Sequence, residues 1–195
     1  ESCALMTDAG TPAISDPGED LVRLCAENGV EVRAIPGCCA AVNALAVSGL
    51  PTGRFTFEGF LTVNKKSRRE HLNSLKGETR TMIFHEAPHK LRTTLNDLTE
   101  AFGPDRRISL CRELTKLHEE VLRFTLAEAV SYYEENAPKG EYVLVVAGAA
   151  PKTGAVVTLE DGVAQVLALK EQGMRLKDAA KEVAEHTGLS KYELY

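Results

Sequence analysis

Hydrophobic and polar positions along this chain follow two periodicities in turn, and their order predicts an α/β protein. Short apolar or alternating runs typical of strands occupy residues 2–7, 30–35, 54–60, 81–85, 107–111, 121–124 and 142–147. Apolar residues at helical spacing occupy residues 19–28, 38–48, 65–75, 88–102 and 125–136. This order of strands and helices indicates a parallel sheet with helices on its faces. We expect the last of these strands to be buried on both faces.

Beyond residue 148 the pattern changes to helices alone. Residues 149–155 have the composition of a linker, and helical stripes then run through 159–167 and 176–184. A third helix is expected to begin at Gly188 and to continue to the end of the chain. These helices are consistent with half of a helix-turn-helix module or with a simple helical appendix.

Composition and charge remove several classes of protein. The 23 Lys and Arg against 28 Asp and Glu give a net charge of −5, which excludes a uniformly basic nucleic-acid-binding surface but permits a local basic patch. No apolar run of about 18 residues is present, so we expect no membrane span. Five cysteines without a C-x-x-C spacing favour reduced thiols in a cytoplasmic protein.

Two strand-to-helix corners carry the first candidate site. The loop 8–18 follows a predicted strand, and its glycines allow close approach to a ligand while its aspartates supply carboxylates. The corner at 35–41 leads into a helix whose first N–H groups can bind a polar ligand. Either corner is also consistent with a rigid connecting turn, and their succession is what favours a ligand site.

Polar residues follow two further predicted strands. Glu86, between His85 and His89, has the chemistry for acid–base work, although a helix cap with solvated histidines is the simpler interpretation. The segment 111–120 carries seven polar residues at a strand end, where a solvated loop is the usual case. The histidine spacings match no metal template, and neither a G-x-S-x-G motif nor a P-loop is present, so we expect no metal, hydrolase triad or NTPase.

The segment 65–69 concentrates four positive charges in a chain that is negative overall. Lys65, Lys66, Arg68 and Arg69 could hold phosphates or could be the solvated start of a helix. Cations are unfavourable at a helix N-terminus, and this conflict favours a functional role.

Five segments, taken together, resemble one family. They are MTDAGTPAISDPG (6–18), IPGCCAAVNALAVSGLP (35–51), FHEAPHK (84–90), CRELTKLHEEV (111–121) and GEYVLVVAG (140–148). In this order they are similar to the ribosomal RNA small subunit methyltransferase I branch of the tetrapyrrole (corrin/porphyrin) methylase superfamily, and the similarity covers essentially the whole chain. The D-A-G-T-P loop and the R-E-L-T-K segment distinguish that branch from the cobalamin and siroheme methylases.

This resemblance implies an S-adenosylmethionine-dependent methyltransferase that modifies the ribose 2′-hydroxyl of a cytidine in small-subunit (16S) rRNA. It implies a cytoplasmic homodimer of two α/β domains, with the cofactor in the cleft between them and a helical C-terminal module that assists rRNA binding. We therefore expect residues 1–37 to be the remainder of an incomplete N-terminal α/β domain. Residues 38–148 are expected to form the C-terminal α/β domain, and 149–195 a truncated helical module.

The resemblance also suggests roles for particular residues. Glu86 is the first candidate for the base that accepts the ribose proton, and Arg112 and Lys116 are candidates to hold phosphates or to lower the pKa of the hydroxyl. The basic residues Lys65, Lys66, Arg68 and Arg69 are expected to contact rRNA. The residues expected to bind the cofactor are Asp8, Ala9, Gly10, Cys39, Ala40, His85, Thr125 and Val143.

Two departures from the family and two alternatives accompany this prediction. Cys38-Cys39 stands where relatives usually have Pro-Ser, so a backbone contact is expected there in place of a hydroxyl contact. The family's opening P-x-G-N-L-type loop is absent from the sequence. The alternatives are a methylase of a tetrapyrrole, which needs neither the basic run nor the C-terminal helices, and a non-catalytic RNA-binding fragment.

Overall fold

The structure, a computed structural model, describes residues 2–150, 158–171, 173–187 and 189–194. It divides into two compact units, residues 1–149 and 150–195. Residues 151–157, which include most of the predicted linker 149–155, lie outside the described residues. The inner division predicted at residue 37 stays a prediction.

The first unit contains most of the predicted helices and strands. They are α1 (Glu19–Glu27), α2 (Ala40–Ser48), β1 (Phe55–Phe60), α3 (Lys65–Ser74), β2 (Thr81–Glu86), α4 (Leu91–Phe102), β3 (Arg107–Arg112), β4 (Glu120–Thr125), α5 (Leu126–Glu135) and β5 (Tyr142–Val146). The predicted strands at 2–7 and 30–35 are wrong, because both segments are irregular in the structure. Neither is paired with another strand, and an unpaired strand has no ladder to hold it extended.

The sheet is mixed, which corrects the prediction of a parallel one. Its order is β1-β2-β5-β3-β4, and only β1 and β2 run parallel. The other three pairings are antiparallel. The connection between β3 and β4 explains the difference, since residues 113–119 are too few for the crossover that parallel strands need.

The two faces of the sheet have different coverings. Residues such as Phe84, Leu110 and Leu144 point to one face, here called the helical face, and pack in a buried core with side chains of α3, α4 and α5. The alternate residues, among them Ile83 and Val143, point to the opposite face, here called the open face. Helix α2 lies on the open face over β5 and its neighbours β2 and β3, and it also contacts β4 at the sheet edge.

Strand β1 breaks the alternation of faces once. The register between β1 and β2 shifts between Phe57 and Gly59, and Gly59 has a φ of 62°, in the left-handed region. A bulge inserts one extra residue, so Phe57 and Phe60 both lie on the open face although they are three residues apart. Glu58 points the other way and pairs with His71 of α3.

The second unit is a small helical module, as the apolar stripes predicted. It contains α6 (Leu159–Glu171), α7 (Leu176–Thr187) and α8 (Lys191–Leu194). Thr158 and Asp161 exchange hydrogen bonds at the start of α6, which fixes that end of the helix. Val166, Ala179, Ala180, Val183 and Leu194 form its core. Within the described parts of both units, no helix is long and apolar enough to cross a membrane.

Candidate functional site

The two strand-to-helix corners singled out in the sequence meet in the structure. The Thr11 hydroxyl donates a hydrogen bond of 2.9 Å to the carbonyl of Cys38, which joins the loop 8–18 to the start of α2. A Cβ placed on Gly10 would lie 3.9 Å from the same carbonyl, and Gly10 itself has a φ of 78°. Asp8, Ala9 and Gly10 are exposed beside this contact.

The loop 8–18 is held in an unusual backbone conformation. Ala13 and Ser15 have φ values of 67° and 57°, which residues with a Cβ rarely adopt. The Thr7 hydroxyl donates to the carboxylate of Asp16 and ties the two ends of the loop together. Strained backbone of this kind persists where the surrounding structure holds it, and it concentrates at ligand-binding loops.

The N-terminus of α2 presents backbone N–H groups without a side-chain cap. Cys39 occupies the N-cap position and makes no capping hydrogen bond. Ala40, the first helical residue, is exposed. The free N–H groups of a first helical turn bind polar or anionic ligand atoms. This geometry is consistent with the backbone contact expected where Cys38-Cys39 replaces the usual pair.

His85 and Val143 lie side by side on the open face. His85 pairs in register with Phe60 on one side and Val143 on the other, and Val143 pairs with Cys111. Cys39 packs against the same apolar cluster as Val143. The structure therefore places His85 beside Val143 and Cys39 against the cluster that contains Val143; all three are residues predicted to bind the cofactor.

The imidazole of His85 has an incomplete set of partners. Its ring contacts Phe57 and Phe60 edge-on, at centroid distances of 5.2 and 5.3 Å. Its Nε2 is buried and has no hydrogen-bond partner among the residues that the structure describes. Burial lowers the pKa of His85 below its ordinary value, against the opposing charge of Glu141, so the ring is neutral at pH 7. A neutral, unpartnered imidazole nitrogen is suited to a hydrogen bond from or to a ligand.

Glu86 lies on the wrong face for the role of base. It follows His85 on β2 and therefore points to the helical face, where its side chain is 4% exposed. One carboxylate oxygen accepts a hydrogen bond from the Thr94 hydroxyl of α4, and the other accepts one of 2.8 Å from the N–H of Ala87. These contacts anchor the start of α4 and leave the carboxylate turned away from His85.

Thr125 is not brought to the other cofactor candidates. It lies on β4, three strands from β2 and about 14 Å across the sheet. It also lies at the opposite end of the strands from His85. Thr125 pairs with Arg107 at the beginning of β3, whereas His85 is aligned through Val143 with Cys111 near the end of β3. Its hydroxyl caps α5 in a reciprocal arrangement with Glu128. The predicted cap is confirmed, and the geometry gives Thr125 no place beside His85.

Arg112 and Lys116 belong to a tightly held loop at the end of β3. Arg112 pairs with Glu120 at 3.2 Å, and the Lys116 ammonium contacts Glu141 at 2.8 Å and Glu113 at 3.1 Å. These hydrogen bonds raise the pKa of Lys116, which therefore stays positively charged and cannot act as a base at neutral pH. Glu113 also accepts a 2.8 Å hydrogen bond from the N–H of Glu141.

The basic run at the start of α3 is divided between structural and free charges. Arg68 pairs with Asp97 of α4 at 2.7 Å and is only 13% exposed, and Arg69 pairs with Glu100 at 2.8 Å. Lys66 lies 4.0 Å from Glu70 and is exposed, as is Lys65. Asn64 caps the helix by accepting hydrogen bonds from the N–H groups of Lys66 and Ser67. The two lysines are exposed, and their contact with RNA stays a prediction, whereas Arg68 and Arg69 join α3 to α4.

Sequence reasoning missed several features of this region. Phe57 and Phe60 flank His85, and the signal for this was Gly59, because a glycine inside a strand often marks a bulge. The left-handed Glu113 and Thr115, with φ of 49° and 65°, carried no signal, since nothing in their side chains predicts it. Among the described residues, no three His, Cys, Asp or Glu side chains are placed to hold a metal ion.

Comparison with known sequences agrees with this geometry. Residues 1–130 match the family described as Tetrapyrrole (Corrin/Porphyrin) Methylases, and residues 157–195 match the RsmI C-terminal HTH domain. The chain is 45% identical over 195 residues to ribosomal RNA small subunit methyltransferase I of Synechocystis sp., covering all of this chain and 70% of that protein. It is 41% identical over 197 residues to the protein of that name from Escherichia coli O157:H7, of which it covers 68%.

Solved structures confirm the fold class. The methyltransferase CobJ matches 74% of this chain and 64% of its own with a TM-score of 0.55 and 23% identity. The cobalt precorrin-4 methyltransferase CbiF matches 71% of this chain and 61% of its own with a TM-score of 0.52 and 16% identity. The chain belongs to the tetrapyrrole methylase family and, within it, to the ribosomal RNA small subunit methyltransferase I proteins.

Proposed function

We propose that this protein transfers a methyl group from S-adenosylmethionine to the ribose 2′-hydroxyl of a cytidine in small-subunit rRNA. One observation carries the proposal furthest. The loop 8–18 and the uncapped start of α2 meet through Thr11 and Cys38, and Cys39 of that corner packs against the cluster that contains Val143, the neighbour of His85.

The groups around this meeting point fit the cofactor. S-adenosylmethionine carries a carboxylate, an amine, ribose hydroxyls and an adenine edge, and each needs hydrogen-bonding partners. The exposed backbone and carboxylate at Asp8–Gly10, the free N–H groups at Ala40 and the unpartnered Nε2 of His85 are such partners. Val143 supplies apolar contact beside them. When bound, the cofactor supplies an activated methyl group on a sulfonium.

The contribution of the chain to catalysis is then mainly positioning. Holding the hydroxyl in line with the methyl group is worth up to roughly 7–11 kcal/mol, because the reactants need not find each other in solution. Lys116 keeps its charge in the loop after β3, so we assign it to holding the RNA backbone near the reacting ribose. Arg112 stands in register with Tyr142, as Glu86 does, so it lies on the helical face paired with Glu120 and is not assigned this role. Glu86 does not serve as the base in this proposal, since both its carboxylate oxygens accept hydrogen bonds on the helical face.

Two further features support RNA as the substrate. The relatives that match the whole chain are named for small-subunit rRNA, and residues 157–195 match a helix-turn-helix domain of the same group. Lys65 and Lys66 add exposed positive charge on the first unit. A tetrapyrrole substrate has no use for either feature. The proposal includes a cytoplasmic homodimer, as the family resemblance implies.

Methyl transfer to isolated small ribosomal subunits tests the proposal. Radiolabelled S-adenosylmethionine is incubated with small subunits purified from cells that lack the enzyme, using the full-length protein. We expect the label in one cytidine. The phosphodiester bond on the 3′ side of that nucleotide should resist alkaline hydrolysis, because its 2′-oxygen is methylated and cannot attack the phosphate. Label on a base, or transfer to a tetrapyrrole but not to RNA, would contradict the proposed substrate, and no transfer to either would favour the non-catalytic alternative.

A further inference from the structure

The loop after β3 holds an ammonium group between two carboxylates that differ in their freedom. The Lys116 Nζ lies 3.1 Å from an oxygen of Glu113 and 2.8 Å from an oxygen of Glu141. The Glu113 side chain is 20% exposed, whereas the Glu141 side chain is 83% exposed. The cation proposed to hold the RNA backbone therefore has one enclosed partner and one partner in solvent.

Glu113 is fixed by its backbone and by its neighbours. Its φ of 49° is left-handed, and its N–H donates a 3.0 Å hydrogen bond to the carbonyl of Glu141. Its Oε1 accepts hydrogen bonds from the N–H of Glu141, at 2.8 Å, and from Lys116. Gly140 leaves the space for this side chain, since a Cβ on Gly140 would lie 2.5 Å from the Glu113 Cγ. A left-handed residue with a Cβ persists where its surroundings hold it, and these contacts do so.

The Glu141 side chain is held by less, and it lies at the candidate site. Among the described residues, its carboxylate makes one ion pair, with Lys116. Burial lowers the pKa of His85, and the charge of Glu141 opposes that shift, so the carboxylate acts on the open-face imidazole. Leu114 of the same loop packs against the apolar cluster that contains Val143. The loop and its ammonium group are thus next to the open face.

We propose that Glu113 is the positioning residue for Lys116, and that Glu141 competes with an RNA phosphate for the same ammonium group. The inference rests on the proposed function, because it divides the role assigned to Lys116 between the two partners of that residue. An arriving phosphate displaces the exposed carboxylate of Glu141, which loses little when it returns to water. Glu113 stays in contact and keeps the ammonium group in one place.

Two isosteric variants of the full-length protein test the inference on small ribosomal subunits from cells that lack the enzyme. Affinity is measured by filter binding, and kcat and KM are measured from methyl transfer. Glu141→Gln should bind about threefold more tightly and lower KM with kcat unchanged, since an exposed ion pair is a modest competitor. Glu113→Gln should lower kcat about tenfold with affinity changed less than about twofold, because the ammonium group is no longer oriented.

Three further variants separate position from charge and from backbone strain. Glu135→Gln removes an exposed carboxylate of α5 and should leave affinity, KM and kcat unchanged. Gly140→Ala displaces Glu113 without removing its charge and should lower kcat as Glu113→Gln does. Gly29→Ala is the matched control, because its φ of 68° is close to the 75° of Gly140 while its Cβ would meet no described atom within 4 Å. It should keep the kcat of the unmodified protein.

Lys116→Met shows whether the two carboxylates act through the ammonium group. It should weaken binding and reduce the slope of log affinity against log salt by about 1, as expected for one lost phosphate contact. In this background neither Glu113→Gln nor Glu141→Gln should have a further effect, because residues that act through one partner are not additive. Changes of the same sign and size in the two Gln variants would overturn the inference. So would an unchanged kcat in Glu113→Gln with an unchanged circular dichroism spectrum.

Binding and methyl transfer are measured separately, so that the inference and the proposed function can fail separately. Methyl transfer by the unmodified protein, with affinity insensitive to Glu141 and kcat insensitive to Glu113, defeats this inference alone. Binding of the subunit without methyl transfer defeats the methyltransferase. The inference then stands if Glu141→Gln tightens binding and Lys116→Met abolishes that gain, and it falls otherwise. No binding of the subunit by the unmodified protein defeats both.

Discussion

His85 and Glu86 are neighbours on one strand, yet the structure gives them opposite circumstances. Glu86 points to the helical face, where it is buried and both its oxygens accept hydrogen bonds within the chain. His85 points to the open face, between two partly exposed aromatic rings, with a buried nitrogen that has no partner. The carboxylate of Glu86 therefore has its hydrogen-bond partners within the chain, whereas the Nε2 of His85 has none among the described residues.

The comparison teaches where function can reside in this sheet. A side chain whose hydrogen bonds are satisfied within the fold contributes to stability, and removing it costs stability first. A side chain with unsatisfied groups costs stability and is retained where a ligand completes it. On this basis we propose that the open face, with the loop 8–18, α2 and β1, is the working side of the sheet.

The largest expected contrast is between two phenylalanines on the two faces. Phe84 is completely buried in the core of the helical face, and Phe84→Ala should lower the free energy of unfolding by about 3–5 kcal/mol. Phe60→Ala should lower it by less than about 1 kcal/mol, because much of that ring is already in water. Urea denaturation followed by far-ultraviolet circular dichroism measures both. Similar losses would remove the distinction between the faces.

A second contrast concerns the partner of Glu86. Thr94→Val removes the hydroxyl that donates to the buried carboxylate and should cost about 1–3 kcal/mol of stability. Thr93→Val, on the exposed side of the same helix, is the matched control and should change stability by less than about 0.5 kcal/mol. Glu86→Gln should likewise destabilise the protein while leaving the pH profile of methyl transfer unchanged. Loss of the acid-side limb of that profile in a stable Glu86→Gln protein would support Glu86 as the base, because a base stops working when it is protonated.

A smaller effect distinguishes capping from cofactor binding at Thr125. Thr125→Ala removes the N-cap of α5 and should cost about 1 kcal/mol of stability, with cofactor affinity unchanged. The hydrogen bonds from Thr125 hold the pKa of Glu128 below its ordinary value, so the contribution of that carboxylate is present above pH 4.5 and is lost as the pH falls below it. Calorimetric titration with S-adenosylhomocysteine checks the affinity. A weaker affinity for S-adenosylhomocysteine in Thr125→Ala, with unchanged stability, would contradict the assignment of Thr125 to capping.

The smallest expected effect is the pH dependence that His85 imposes. Burial lowers the pKa of the folded form below the unfolded value of 6.5, so the unfolded chain binds the proton more readily. The free energy of unfolding should therefore fall as the pH drops below about 6.5 and stay level above it. His85→Gln should reduce that dependence, and His118→Gln, at an exposed loop position, should not. An imidazole resonance of His85 that titrates at or above 6.5 would contradict this.

Much of the fold followed from sequence periodicity because the first unit is built from regular, amphipathic elements. The cap at Thr125 was visible as a Thr with Glu128 three residues later, and the buried strand at 142–146 as an unbroken apolar run. The short 113–119 connection already indicated antiparallel β3 and β4, and the prediction overlooked it. The place of β5 between β2 and β3 was not visible, because it depends on tertiary packing. The segments 2–7 and 30–35 have strand-like residues, yet a strand forms only with a partner.

The sequence predicted where the candidate site lies better than it predicted which residues form the site. Loops at strand ends pointed to the loop 8–18, the α2 corner and His85. The structure joins the loop to the corner and packs Cys39 of that corner against the cluster that contains Val143, the neighbour of His85. The assignment of Glu86 overlooked the alternation of a strand, by which neighbours face opposite sides. Phe57 and Phe60 were missed for the converse reason, since a bulge aligns residues that simple alternation would separate.

Calorimetric titration of S-adenosylhomocysteine tests the central claim, that the open face is the working side, most directly. It is done on this chain and on a form that spans the full length of its relatives, each unmodified and with His85→Ala or Thr94→Val. We predict that the full-length form binds, that His85→Ala weakens this binding at least tenfold, and that Thr94→Val changes stability but not affinity. Affinity that depends on Thr94 and not on His85, or no binding by either form, would contradict the account.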